Sequence, residues 1–354
     1  MGDYQCTCEM YDMSFKLLDS KKFIISVIPY NSVTRKLRCV YFGDSLGFGV
    51  ASKLIDNFSN TERYQGEIPL FLGTRRRSKY RYEAVGGYGF EDYATKGRYT
   101  YRVYVSDVSS IQIGALYTID GYPNPFEVRE VNISNREGNI LFEYRYGQQV
   151  MDFPLKGELI KKVGGGDDKI IFNKSNEESG NPLWNQQTEK LDVSLYKKRL
   201  GLSQSEKIDV VSFQFGINDA YLANKQSTLR KYIDDLYRAF MKDNSHCIFI
   251  VGMMPSSGNT VDGAGNNYGA TFDCLNYLKN TYLLRLFYLT LSKSEYPNLR
   301  VSPASLGIDR YFGYVLDNTN SHINYVHPGN IGYQQLSDMY FSSYNKAFLE
   351  IMGF

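Results

Sequence analysis

The sequence predicts an α/β fold with a mostly parallel sheet, interrupted by a small all-β insertion. Short apolar runs typical of buried strands alternate with segments at helical spacing over residues 38–97 and again over 173–354. Residues 98–172 instead carry short runs rich in Tyr, Val and Ile, separated by turn residues. Strands that alternate with helices favour parallel pairing, because the crossover between parallel strands needs room for a helix.

The composition limits the class of protein. The 354 residues are enough for one large α/β domain with an insertion, and a hydrophobic content of 43% is ordinary for a globular chain. The net charge of +2 gives no reason to expect a nucleic-acid partner, and no apolar run is long enough to span a bilayer. The 31 Tyr and 21 Phe offer contact area of the kind that glycan- and protein-binding surfaces use, although Tyr is also common in strands.

The five cysteines predict neither a disulfide framework nor a metal site. Cys39 and Cys247 lie in apolar, strand-like runs and are expected to be buried free thiols. Cys6 and Cys8 are too close in sequence for a normal bridge and have no partners at metal-ligand spacing.

Residues 1–37 are predicted to form a leader with one or two short strands, at 15–18 and 23–28, similar to the last hairpin of a preceding β-domain. Residues 1–10 are polar and lack the apolar segment of a secretory signal. The chain is therefore compatible with a part of a longer protein or assembly.

The first α/β unit places a serine on a sharp turn. Residues 39–42 read as a buried strand, Gly43, Asp44 and Ser45 follow, and 50–58 have helical spacing. A serine there lies at the carboxyl edge of the sheet, next to the free N–H groups and the positive end of a helix. The alternative is that Asp44 and Ser45 only cap the helix, since both residue types are ordinary caps.

The remaining α/β elements are also predicted as alternating strands and helices. A short strand is predicted at 68–74, a solvated basic loop at Arg75 to Arg77, and a strand from residue 82 that ends at Gly86 and Gly87. Later elements are predicted as helices at 191–200, 226–242, 272–292 and 331–351, with strands at 208–215, 247–253 and 299–301. The glycine-rich segment 255–269 is placed where a binding loop would lie.

The insertion is predicted to be a small barrel or sandwich. Its strands are expected at 99–105, 116–119, 126–133, 139–145 and 155–163, and a glycine-rich exit loop at 164–168 ends it.

Three histidines are available as a base for Ser45. His246 begins a strand after a charged turn and is expected to be a surface or structural residue. His322 lies in a polar loop. His327 is expected on a rigid loop, followed by Pro328 and the start of the last helix, which suits a fixed imidazole.

Taken in order, these blocks resemble the SGNH hydrolases, also called GDSL esterases and lipases. The blocks are Gly43-Asp44-Ser45-Leu46, a glycine after the next strand, Gly216-Ile217-Asn218-Asp219 after a central strand, and His327-Pro328 before the final helix. The resemblance covers about residues 39–95 and 183–351 and implies a three-layer, flavodoxin-like fold. Residues 181–185 and 261–268 also resemble a Bacteroides-type branch that includes phage-associated members.

The resemblance implies the roles of individual residues. Ser45 would be the nucleophile and His327 the general base, and the oxyanion hole would consist of the Ser45 N–H, the Gly87 N–H and the Asn218 side chain. Gly86 remains an alternative to Gly87. Three fixed donors suit acyl transfer, where loss of one such donor typically costs about 3–4 kcal/mol of barrier.

One residue departs from the family pattern. The family usually has Asp three residues before the catalytic His, and this chain has Asn324. In serine proteases, replacing the triad Asp by Asn lowers the rate about 10⁴-fold. Three outcomes are open: Asn324 or a backbone carbonyl orients His327, Asp309 or Asp317 supplies the acid, or the protein is weakly active or inactive.

The implied function is a serine esterase that removes acyl groups, with acetyl favoured, from a carbohydrate without a cofactor or a metal. An extracellular, cell-surface or virion-associated location is favoured. Two alternatives remain: an inactive glycan-binding or structural module of a phage tail or surface protein, and a lipase or thioesterase, which would need a hydrophobic acyl channel.

Overall fold

The computed structural model describes residues 2–27, 33–77, 79–97, 99–105, 111–112, 114–119, 126–134, 137–144, 159–162, 170–185, 187–215, 218–219, 222–253, 255, 274–291, 294–309, 312–316 and 322–354. The strands are β1 Gly2–Tyr11, β2 Leu17–Val27, β3 Arg38–Gly43, β4 Leu70–Leu72, β5 Arg75–Arg77, β6 Tyr80–Ala84, β7 Tyr99–Val105, β8 Leu116–Ile119, β9 Phe126–Ser134, β10 Glu137–Tyr144, β11 Leu159–Lys162, β12 Ile170–Ser179, β13 Trp184–Asn185, β14 Lys190–Leu191, β15 Val210–Gln214, β16 Ile248–Gly252, β17 Leu299–Ser302, β18 Tyr314–Leu316 and β19 His322–Pro328. The helices are α1 Gly47–Ser59, α2 Phe90–Ala94, α3 Val193–Arg199, α4 Gln226–Asp243, α5 Cys274–Leu289, α6 Ala304–Gly307 and α7 Asn330–Met352.

The central sheet confirms the predicted α/β class. Its strand order is β17-β16-β15-β3-β6-β5, and β4 also pairs with β3. All of these pairs are parallel except β5 with β6. The carboxyl ends of β3, β6 and β15 therefore meet at one edge, which is where open α/β sheets place their ligand sites.

Alternating side chains of the central strands face two separate cores, so the fold has three layers. Val40 and Phe42 of β3 face one core, which also contains Leu229 and Phe240 of α4. Cys39 and Tyr41 face the other core, which helices α1 and α7 cover. This alternation follows from the two-residue repeat of a strand and explains why β3 is buried on both faces.

A row of aromatic rings crosses the middle of the sheet. Phe213 on β15 stacks on Phe42 of β3 and on Phe249 of β16, with 4.7 Å between ring centroids in both pairs. All three rings are fully buried. This row ties together the two strands that precede the serine turn and the Asn218 turn.

The all-β insertion forms a closed barrel, as the sequence analysis predicted it to be a barrel or a sandwich. Its strand order is β10-β7-β12-β11-β8-β9, and every described pair is antiparallel. Strand β12 runs to Ser179, beyond residue 172 where the insertion was expected to end. The predicted exit loop at 164–168 lies outside the described residues.

A buried asparagine joins the two chain segments that enter and leave the barrel. The Asn181 side-chain amide donates hydrogen bonds to the Tyr93 carbonyl at 2.8 Å and to the Thr95 carbonyl at 2.7 Å. Asn181 is fully buried, so these bonds are shielded from water. The connections to the barrel are therefore held side by side next to α2.

Two predictions about the first half of the chain were wrong. The leader hairpin pairs β1 with β2 in antiparallel register, whereas the sequence placed its first strand at 15–18. The Arg75 to Arg77 segment is a strand instead of a solvated loop. Arg75 is only 5% exposed because its guanidinium donates to the Tyr93 hydroxyl at 3.1 Å and lies over the Tyr88 ring.

The helix predictions agree closely with the structure. Helix α7 extends the predicted range 331–351 by one residue at each end, and α4 ends one residue beyond its predicted range. Cys39 and Cys247 are buried free thiols, as predicted. None of the described helices is long and apolar enough to cross a membrane. Most of the segment 255–269 lies outside the described residues.

We expect Phe213→Ala to lower the free energy of unfolding by about 3–5 kcal/mol, because it removes the ring at the centre of the aromatic row. Urea denaturation followed by circular dichroism measures the change. The matched control is Phe354→Ala, since that ring is 79% exposed and should change the stability by less than about 0.5 kcal/mol. Equal denaturation midpoints for the two variants would contradict this role.

Candidate active site

Ser45 lies on the turn between β3 and α1, as the sequence predicts. Asp44 shapes this turn: its carboxylate accepts the Leu46 N–H at 2.9 Å and its carbonyl accepts the Gly47 N–H at 3.0 Å. Helix α1 begins at Gly47, so Ser45 stands just before the positive end of a helix. Within the described part of the chain, the Ser45 N–H has no hydrogen-bond acceptor.

His327 meets Ser45 across the site. Its Nε2 lies 2.9 Å from the Ser45 Oγ, within hydrogen-bond distance. His327 is near the end of β19, two residues before the cap of α7, whereas the sequence analysis placed it on a loop. Burial lowers the pKa of His327 below its ordinary value, so the imidazole is neutral near neutral pH and can accept a proton.

The other two histidines lie elsewhere. His246 is exposed in the connection between α4 and β16, in agreement with the prediction of a surface residue. His322 begins strand β19, so the predicted polar loop is a strand at this position.

Three residues were predicted as candidates to orient the His327 imidazole, and the structure describes some of their atoms. Asn324 pairs with Val315 through the β18–β19 ladder, and its side chain lies outside the described residues, as does all of Asp317. The Asp309 carboxylate is exposed and accepts the Phe312 N–H at 2.9 Å, which stabilises its own turn. The identity of the orienting group therefore stays a prediction.

A tight turn from Val85 to Tyr88 follows β6 beside Ser45. The Tyr88 N–H donates to the Val85 carbonyl at 3.2 Å, and Gly87 has a φ of 80°, a conformation that favours glycine. A Cβ added to Gly86 would lie 3.9 Å from the Ser45 Cβ, so the turn passes close to the serine. Both glycines stay candidates for the oxyanion donor.

Asn218 is joined to this turn by a direct hydrogen bond. Its side-chain amide donates to the Tyr88 carbonyl at 2.9 Å. Asn218 follows β15, the neighbour of β3 in the sheet. The structure therefore brings together the segments that carry Ser45, Gly87, Asn218 and His327.

Asp219 forms a second link that the sequence analysis missed. Its carboxylate is 1% exposed and accepts the Phe90 N–H at 3.0 Å. A Cβ on Gly89 would lie 2.4 Å from the same oxygen, so glycine is needed for this approach. Its position next to Asn218 was the only feature of the sequence that pointed to a role for Asp219, since a local motif does not show whether a carboxyl group is buried.

Two buried carboxyl groups near the site have strongly raised pKa values. Burial raises the pKa of Asp44 to about 7, opposed by the N–H groups of Leu46 and Gly47. Burial and then the charge of Asp92 raise the pKa of Asp219 to about 8, opposed by the Phe90 N–H. Both groups therefore bind protons more tightly in the folded protein than in the unfolded chain.

The described residues hold no group of three or more His, Cys, Asp or Glu side chains that could bind a metal ion. The arrangement around Ser45 instead provides a hydroxyl, an imidazole and nearby amide donors. This set of groups is suited to nucleophilic attack by the serine on a carbonyl carbon.

Comparison with known proteins finds distant structural similarity and no match in sequence. No family model and no curated protein matches the chain. A peptidoglycan O-acetylesterase structure shares 11% identity with a TM-score of 0.35, over 89% of this chain and 92% of its own. A Parabacteroides merdae protein described as a GDSL-like lipase shares 10% identity with a TM-score of 0.35, over 90% of this chain and 100% of its own. At these scores the likenesses say nothing about the activity of this chain.

We expect Asp219→Asn to reduce the loss of stability at rising pH. The raised pKa means that Asp219 contributes most stability below the ordinary carboxyl pKa, and that this contribution is lost as the pH rises through about 8. An amide does not ionise, so the variant should show a flatter melting temperature from about pH 5 to about pH 9. Thermal melts in a series of buffers measure the slope.

The control for this comparison is Glu62→Gln, an exposed residue far from β15 in sequence. Its slope should match that of the parent. Parallel curves for the parent and Asp219→Asn would show that ionisation of Asp219 does not affect folding.

Proposed function

We propose that this protein is a serine esterase of the SGNH kind. The observation that carries the proposal is the 2.9 Å contact between the Ser45 Oγ and the His327 Nε2. A serine hydroxyl is a weak nucleophile by itself, and a neutral imidazole within hydrogen-bond distance can take its proton during attack.

The reaction would proceed in two steps. The Ser45 Oγ attacks the ester carbonyl carbon while His327 Nε2 takes the hydroxyl proton. The bond to the leaving alcohol then breaks, and His327 returns the proton to the alcohol oxygen, which leaves an acyl-enzyme. His327 next takes a proton from water as the water oxygen attacks the acyl carbon. The bond from the acyl carbon to the Ser45 Oγ then breaks, and His327 returns the proton to this oxygen, so the carboxylic acid leaves and the free serine is restored.

The negative charge on the carbonyl oxygen needs fixed donors. We assign this role to the Ser45 N–H, the Gly87 N–H and the Asn218 amide. Two observations support the assignment. The Ser45 N–H lies just before the start of α1, and the hydrogen bond to the Tyr88 carbonyl holds the Asn218 amide next to the turn beside Ser45.

The third catalytic position is assigned to Asn324. Asn324 lies three residues before His327 on β19, where the register with β18 shifts and the regular alternation of faces is broken, and an amide oxygen can accept the imidazole N–H. Asp309 and Asp317 are the alternative sources of an acid. Without a carboxylate, the imidazolium is less stabilised, so a slow enzyme is expected.

The proposed substrate is a carbohydrate that carries small acyl groups, acetyl above all, and the proposed setting is extracellular, at a cell surface or on a virion. The aromatic content of the chain, 15%, supports a glycan, since Tyr and Phe supply flat contact area. The Bacteroides-type and phage-associated branch is part of this proposal through its resemblance to residues 181–185 and 261–268.

A fluorophosphonate probe tests the serine without knowledge of the substrate. We expect intact mass spectrometry to show one added probe on the parent and none on Ser45→Ala. His327→Gln should react at least about 10²-fold more slowly, because the general base is removed. Ser203→Ala, which changes an exposed serine, should react like the parent.

If the parent stays unlabelled while a known serine hydrolase reacts in the same tube, the proposed activity is wrong. A glycan-binding module that keeps the hydrolase fold would then be the better explanation.

The acyl group and the carrier are tested by product release. We expect the parent to release acetate from O-acetylated polysaccharide and to cleave aryl acetate faster than aryl octanoate, with no turnover by Ser45→Ala. A short acyl group needs no long apolar channel, which is the physical basis of this preference. Rates that rise with acyl chain length would instead support a lipase or thioesterase.

A further inference from the structure

A groove of about 460 Å³ lies on the outer side of α4 and shares no lining residue with the Ser45–His327 site. Helix α4 supplies one wall, and the β13–β14 hairpin supplies another through Trp184 and Lys190. A volume of this size is within the range of small-ligand sites. Trp184 is the only tryptophan of the chain, and it is half-buried in this lining.

The helical repeat explains the charged wall of the groove. Lys231, Asp235, Arg238 and Lys242 follow one another at helical spacing and line the groove together. The opposite face of α4 is buried in the core. Ala239 also lines the groove, and its small side chain leaves room between the longer ones.

The charges in the groove are unevenly compensated. Lys231 pairs with Asp235 at 2.5 Å, and Arg238 pairs with Asp234 at 2.6 Å. Lys190 and Lys242 also line the groove. Among the described residues neither forms a salt bridge, although the charge of Lys242 interacts with the Asp192 carboxylate. Two carboxylates, Glu189 and Asp235, also line the groove, and Asp235 is the one already paired with Lys231. The groove therefore combines one aromatic ring with two ammonium groups available to an anion.

We propose that this groove binds an acidic saccharide, with a sugar ring on Trp184 and a uronate carboxylate at Lys190 and Lys242. The C–H face of a sugar ring is apolar and packs on an aromatic side chain, while a carboxylate pairs with an ammonium group. A neutral glycan would leave the two lysines without a role, and an anion without a ring would leave Trp184 without one.

The groove lies close enough to the turn beside Ser45 for one saccharide chain to reach both. Ala94 and Thr95, at the end of α2, line the groove, while α2 begins at Phe90 just after the Val85–Tyr88 turn. A five-residue helix spans about 8 Å, so a saccharide of a few units could reach both. The inference that this saccharide is the acylated substrate rests on the proposed esterase function, whereas the binding itself does not.

The single tryptophan allows a direct test on the full chain. We expect trigalacturonic acid, which has no ester to cleave, to change the Trp184 emission saturably and more weakly at high salt. Maltotriose, a neutral saccharide, should give no change. Citrate, which has carboxylates and no sugar ring, should also give none.

Charge variants locate the site. Lys190→Gln and Lys242→Gln should each weaken binding about two- to fivefold, the range of an exposed ion pair, and Glu189→Gln should tighten it by a similar factor. Lys198→Gln, an exposed lysine on α3 outside the groove, should bind like the parent. Calorimetry with Trp184→Phe, where the optical signal is lost, should show weaker binding.

Several results would overturn the proposal. They are the absence of a saturable response to trigalacturonic acid, an equal response to maltotriose or citrate, or unchanged affinity in both Lys190→Gln and Lys242→Gln. Since these substitutions lie on the surface, circular dichroism is expected to match the parent. If the protein reacts with fluorophosphonate but does not bind trigalacturonic acid, the proposed esterase function stands and the proposed saccharide site is wrong.

Discussion

The contact between Ser45 and His327 joins residues 282 positions apart in the chain, so it depends on how the two ends of the α/β domain meet. Each residue stands at the start of a long helix, α1 after Ser45 and α7 after His327. These helices pack on each other: the Asn57 amide donates to the Ser337 hydroxyl at 2.9 Å, and Phe58 lies against Phe341 and Phe348. The serine–imidazole distance thus depends on helix packing, which is the preorganisation that the proposed catalysis requires.

A second junction holds the opposite side of the site. Asn218 and Asp219 follow β15 and bind two backbone groups of the segment after β6, the Tyr88 carbonyl and the Phe90 N–H. One bond uses the amide donor of Asn218 and the other the carboxyl acceptor of Asp219, so the segment is held through both a carbonyl and an N–H group. Buried hydrogen bonds of this kind are strong in a low dielectric and costly to leave unmade. The turn beside Ser45 is therefore held from the strand next to it.

The sequence predicted the parts of the fold that depend on local pattern. Buried central strands read as apolar runs, and the helices α4 and α7 were placed to within a residue because their apolar faces repeat regularly. Ser45 and His327 were chosen as site candidates for a similar reason, since the first follows a recognisable strand and both precede a helix.

The missed features depend on tertiary contacts. Strand β1 has mostly polar residues, so its pairing with β2 leaves little trace in the sequence. Arg75 was predicted to be solvated because nothing local shows that Tyr88 and Tyr93 cover it. The burial of Asp219 is hidden in the same way, since it requires Phe90 from another segment.

The bonds from Asn181 to Tyr93 and Thr95 have an evolutionary consequence. They close the α/β domain at the two points where the barrel enters and leaves, so the chain ends of any inserted module would already be adjacent. Two recombination events, one after Thr95 and one before Asn181, would exchange the barrel while α2 and the serine turn keep their supports. The barrel can thus be replaced as a whole module, independently of the residues at the carboxyl edge of the sheet.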